Sequence, residues 1–185
     1  FVFLHADPAL RRDKDFVLQA VQQDGRALRW AADTLKGDKV VVLEAVKSEG
    51  FALEIAADDF KGDREVVLEA LGEQARYWQN ADEEEKEKLF KRVRDDDDED
   101  GFFERTALKH VAQELKDNAT FMLDAVRVYG LALRDATQDI KTNREIVFEA
   151  VRQNSRAFEF AAQEVRSDAL LQPECVAKSR IAGTG

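Results

Sequence analysis

Apolar residues recur along this chain with a step of 25. Counted from Asp13, Asp38, Asp63, Asn118 and Asn143, offsets 3, 4, 7 and 8 are apolar in every copy, as in Val41, Val42, Ala45 and Val46, or Ile146, Val147, Ala150 and Val151. That spacing is one face of an α-helix, not the alternation of a strand. The opening Asp or Asn is a good N-cap, so a helix is expected to begin there. A second apolar face follows at offsets 14, 15, 18 and 22, for example Ala27, Leu28, Ala31 and Leu35, and predicts a second helix. Offset 12 holds Gly25, Gly50 and Gly130, with Ala75 and Ser155 in the other copies, which suits a helix–helix turn that needs a permissive backbone. Each copy therefore reads as a helical hairpin.

Alanine recurs at offset 7 (Ala20, Ala45, Ala70, Ala125, Ala150) and at offset 18 (Ala31, Ala56, Ala81, Ala136, Ala161), where small residues let helices approach while larger neighbours interlock. Helices of about ten residues are marginal alone, so adjacent copies must supply the missing burial. The pattern predicts an all-α fold: a short α-solenoid-like array of 25-residue helical hairpins with one acidic insertion. N-terminal repeats occupy 1–76, with a partial unit at 1–12 and units from 13, 38 and 63. The insertion takes 77–106. C-terminal repeats fill 107–168, holding the rest of the third unit and units from 118 and 143, and 169–185 is an irregular tail. In the partial unit, Ala6 and Leu10 take the places of Ala31 and Leu35. A sixth first helix starts at Asp168 but meets Pro173, which breaks a helix interior.

The phrase DREVVLEA at 63–70, its near copy at 143–151 and the run ALEIAADDFKGD resemble the tandem repeats of domain of unknown function 4116. The resemblance covers roughly 1–76 and 107–168. It implies an all-α repeat protein, brings no assigned activity and no catalytic residues, and points to single-celled eukaryotes, including algae. The chain departs from the family phrase at ARYWQNADEEEKE in the third unit and again at Pro173.

Between the third and fourth copies the step becomes 55, so about 30 residues are added. EEEKEKLFKRVR reads as a helix with Leu89, Phe90 and Val93 on one side, DDDDEDGFF as a loop, and TALKHVAQELK as the third unit's second helix regained, with Ala107, Leu108, Val111 and Leu115 at the expected offsets. Asp96, Asp98, Asp100 and Glu104 fall at positions 1, 3, 5 and 9 of a twelve-residue calcium loop, but position 12 is Ala107 where a bidentate Glu is required. Calcium is the one cofactor the sequence suggests, and a solvated acidic loop is the plainer reading. Tyr77, Trp78, Phe90 and Phe102 are the candidate partner anchors, since aromatic side chains are enriched at binding hot spots. Trp30, Phe60, Phe158 and Phe160 have apolar counterparts in other copies and read as core.

Composition narrows the function classes. A net charge of −10, with no gathered basic face, argues against nucleic acid. No apolar run approaches the roughly 20 residues of a membrane span, leaving at most a peripheral association with a membrane complex. Cys175 is single, and His5 and His110 have no second His or Cys at ligand spacing, so neither a disulfide framework nor a zinc site is indicated. Glu44, Glu69, Asp124 and Glu149 recur at one offset, as a solvated helix face would. The expectation is a non-enzymatic scaffold or interaction protein, an accessory subunit bound to other proteins of a larger complex. A calcium-responsive adaptor is the alternative. The lone cysteine, the family's distribution and a start at Phe1 in place of Met point to a reducing or organellar interior, chloroplast or mitochondrion, and to a processed or excerpted chain.

Overall fold

Each opening Asp or Asn caps a helix as the pattern requires. The Asp13 carboxylate accepts from the Phe16 N–H at 2.9 Å, Asp38 from Val40 and Val41, Asp63 from Glu65 and Val66, Asn118 from Phe121, and Asn143 from Glu145 and Ile146. The computed structural model describes residues 7–95 and 107–173, with backbone only at Arg92 and Asp95. Two compact units divide the chain, 1–112 and 113–185, and among the described residues every regular element is a helix.

In the first unit α1 (Lys14–Gln23) leads through a 3₁₀ turn, Gly25–Trp30, to α2 (Asp33–Lys36). The second repeat runs α3 (Lys39–Ser48), α4 (Ala52–Ile55) and a 3₁₀ segment, Asp58–Gly62. The third has α5 (Arg64–Asn80), α6 (Glu83–Asp95) and a 3₁₀ turn, Ala107–His110. α3 packs between α1 and α5. The second unit opens with α7 (Gln113–Asp117). It continues with α8 (Ala119–Val128), the turn Gly130–Asp135 and α9 (Gln138–Thr142), then α10 (Arg144–Gln153), the turn Ser155–Phe160 and α11 (Gln163–Arg166). There α8 packs on α10.

The predicted core is the observed one. Val41, Val42, Ala45, Val46, Val66, Val67, Ala70, Leu71, Phe121, Met122, Ala125 and Val126 are all 0% exposed. Burying one such Val or Leu is worth about 1.5–3 kcal/mol. In α1, Val17 and Val21 are fully buried but Phe16 and Ala20 only half. Offsets 3 and 7 therefore face the preceding repeat, and offsets 4 and 8 face inward.

Two expectations change. The second element of each repeat is not one helix. At offsets 18 and 19 the backbone turns extended, with ψ near 150° at Ala31, Ala32, Ala161 and Ala162. The second of these residues then donates to the preceding repeat. The N–H groups of Ala32, Ala57, Ala112 and Ala162 reach the carbonyls of Arg11, Lys36, Lys61 and Lys141 at 2.9–3.1 Å. A continuous helix would consume those donors within itself.

The glycines at offset 12 serve close approach and not backbone freedom. A Cβ built on Gly50 meets the Ala70 carbonyl oxygen at 2.6 Å, one on Gly130 meets that of Ala150 at 2.5 Å, and one on Gly25 collides with that of Ala45. Each carbonyl belongs to offset 7 of the next repeat, so glycine and alanine form one joint. The Gly50 N–H donates to Glu73 Oε2 at 3.0 Å and the Gly130 N–H to Gln153 Oε1 at 2.7 Å. A third tie joins offset 1 to the next N-cap: Lys14 to Asp38 at 2.6 Å, Lys39 to Asp63 at 2.8 Å, Arg144 to Asp168 at 2.9 Å.

Candidate interaction surface in the split repeat

α5 begins like every first helix but runs to Asn80, through Ala75 and the helix-compatible residues after it. Its extension carries Tyr77 and Trp78. Tyr77 is 45% exposed, and its hydroxyl donates to Glu85 Oε1 of α6 at 2.8 Å. Trp78 is half-buried. α6 is capped by Asp82, whose carboxylate accepts from the Glu85 N–H at 2.8 Å. Glu83, Glu84 and Glu85 fill its first turn, where the helix dipole favours acids.

Lys86 pairs with Glu83 and Lys88 with Glu84 along the helix surface. Phe90 and Val93 are 3% and 7% exposed. Phe90 is thus a packed residue and not an outward anchor, because it shares the inward face of α6 with Val93. Phe102 and the acidic positions Asp96, Asp98, Asp100 and Glu104 lie outside the described residues, as do His5 and Cys175. Among the described residues no three metal-ligating side chains converge.

The base of the insertion is fastened by Gln74. In regular repeats the N–H at offset 14 donates to the backbone carbonyl at offset 11: Ala27 to Asp24, Ala52 to Glu49, Ala132 to Tyr129, Ala157 to Asn154. In the split repeat that carbonyl lies inside α5 and is needed there. The Ala107 N–H donates instead to the Gln74 side-chain oxygen at 3.1 Å. Ala107 and Leu108 are 3% and 0% exposed, and Ala112 makes the same bond to Lys61 that Ala57 makes to Lys36. Val111, and not Ala81, therefore occupies offset 18 of the third repeat. Ala81 ends α5, with its N–H donating to the Tyr77 carbonyl.

Two features escape a reading of the sequence one repeat at a time. Trp30, expected in the core, is 37% exposed; its counterpart in the split repeat is His110, whose Nε2 lies 3.7 Å from Glu54 Oε2. The other is an acidic edge. Arg26 Nε sits between Asp24 at 3.0 Å and Glu49 at 3.1 Å. Burial pushes the Glu49 carboxyl above its ordinary range, with Arg26 opposing and Asp24 and Glu73 adding to the shift. Burial likewise raises Glu73, against the stabilising Gly50 N–H. Acids at offsets 10 and 11 were the available signal.

The family model described as "Domain of unknown function (DUF4116)" matches residues 1–36, 38–84 and 120–166. The chain belongs to this family. The three matches of the DUF4116 model span both sides of the insertion and leave 85–119 uncovered, so the buried part of α6 and the re-entry at Ala107 are features of this chain beyond the DUF4116 phrase. No curated protein and no solved structure matches the chain. No helix among the described residues is long and apolar enough to cross a membrane.

Proposed function

We propose that this chain is a non-enzymatic interaction protein, an accessory subunit that binds other proteins through its split third repeat. One observation carries the reading. Within the first unit the chain returns from the insertion to the bonds of a regular copy: Ala112 bonds Lys61 as in the other repeats, and Gln74 closes the gap. The insertion therefore leaves the third repeat's bonds to the second in place, and it brings an exposed tyrosine, a tryptophan and a charged helix to the first unit.

The test uses the full chain and a variant lacking 76–105, which restores the 25-residue step. Isolated from its native source, the full chain is expected to carry a stoichiometric protein partner, and the shortened chain to lose that partner while its circular dichroism stays helical. A full chain that isolates alone, or a shortened chain that keeps the partner, overturns the proposal.

A further inference from the structure

Where one repeat meets the next, four surface positions come together: offset 9 of the first repeat and offsets 6, 9 and 10 of the second. Between the first and second repeats these are Gln22, Glu44, Lys47 and Ser48, with no net charge. Between the second and third they are Lys47, Glu69, Gly72 and Glu73, with an excess of one negative charge. In the second unit they are Arg127, Glu149, Arg152 and Gln153, with an excess of one positive charge, and these four line a recess of about 260 Å³. The sign of this joint reverses in a chain whose net charge is −10.

Its floor is built from committed groups. The Gln153 amide accepts from the Gly130 N–H at 2.7 Å and donates to the Val128 carbonyl at 3.2 Å. Glu149 is only 14% exposed, and its Oε2 serves both guanidinium groups, Arg152 Nη2 at 2.7 Å and Arg127 Nε at 3.5 Å. The arginines are 48% and 49% exposed, and a guanidinium carries five N–H donors, so each has donors left for an incoming acceptor. A monoanion matches the surplus charge. A dianion would leave negative charge uncompensated against Glu149.

We propose that this recess receives the carboxylate side chain of an acidic peptide segment of a partner protein, held between Arg127 and Arg152. This rests on the interaction reading above and gives the partner a chemistry. The surroundings agree: residues 113–185 hold eleven acids and ten bases, against 27 acids and 18 bases in 1–112, so an acidic segment meets least repulsion here.

The test titrates the full chain with a hexaglutamate peptide and follows the arginine Nε–Hε signals by NMR. Saturable shifts confined to Arg127 and Arg152 are expected, weakening with salt. Arg127→Gln and Arg152→Gln should each weaken binding at least fivefold, whereas Glu149→Gln, which removes the resident charge, should tighten it severalfold. The last result has the opposite sign from any loss of fold. Shifts spread over all arginines, or a Glu149→Gln variant that binds more weakly, overturn the proposal. So does a response to inorganic phosphate with none to hexaglutamate, which marks a free oxyanion site.

A native partner retained by the Arg127→Gln, Arg152→Gln double variant but lost without 76–105 sinks the recess alone. Hexaglutamate binding by a chain that isolates without a partner supports the recess and sinks the interaction reading.

Discussion

At the scale of single residues, the joint between repeats turns on one missing carbon. Gly50→Ala places a methyl 2.6 Å from the Ala70 carbonyl oxygen, and backbone cannot yield as a side-chain tip does. A loss of about 2 kcal/mol is expected, within the range for overpacking. Gly37, whose added Cβ would meet nothing nearer than 3.6 Å, is the control. Gly37→Ala should be neutral or stabilising by up to about 1 kcal/mol. Urea unfolding of both variants checks the contrast, and equal losses would contradict the joint.

Glu73 gives a pH-dependent case. Burial raises its carboxyl above the ordinary value, so the folded chain binds this proton more tightly than the unfolded chain. Stability from this group is fully present below the ordinary carboxylate range and is lost as pH rises through the raised value. Glu73→Gln keeps an acceptor for the Gly50 N–H, as Gln153 does for Gly130. The variant should be more stable than the parent at pH 7, with the gap closing as pH falls through the carboxylate range; thermal melts at pH 4 and pH 7 measure it. The position of the glycines was legible in the sequence. Their reason was not, because the oxygen they avoid lies 20 residues away in the next copy.

At the scale of elements, first helices were readable from caps and periodicity alone. Second elements were misread as single helices, since apolar spacing survives a two-residue extended break. A charge signal marked that break: Asp33 then Lys36, Glu114 then Lys116, Asp139 then Lys141, Glu164 then Arg166. Acid first and base last is the arrangement a short separate helix prefers. α6 was legible from its run of formers, but the inward turn of Phe90 was not, because a lone amphipathic helix does not say which packed face it meets. The variant lacking 76–105 should fold for an element-level reason. It joins Ala75 to Thr106, ends α5 early, and frees the Gln74 carbonyl to accept from Ala107 as Asp24 accepts from Ala27.

At the scale of the whole molecule, charge is divided unevenly, and stability should track that division. The exposed pairs linking repeats are screened by solvent and contribute little, while the surplus of acids in 1–112 repels itself. Raising salt from about 0.05 to 1 M, which shortens screening to about 3 Å, should increase amide-exchange protection at Val42 and Val67 and leave Val147 unchanged. A fall at Val42 would show that the pairs outweigh the repulsion. The arginine recess was invisible in the sequence for a related reason. Arg127, Glu149 and Arg152 look like an ordinary solvated face until two copies are laid side by side.

The glycine–alanine joint also has a direction. The first, second and fourth repeats each offer a notch that the carbonyl of the next repeat enters, so the contact is head-to-tail, a heterologous joint. Glycine at the notch thus works as an arrow: it lets a copy receive the carbonyl of the copy after it and never of the copy before.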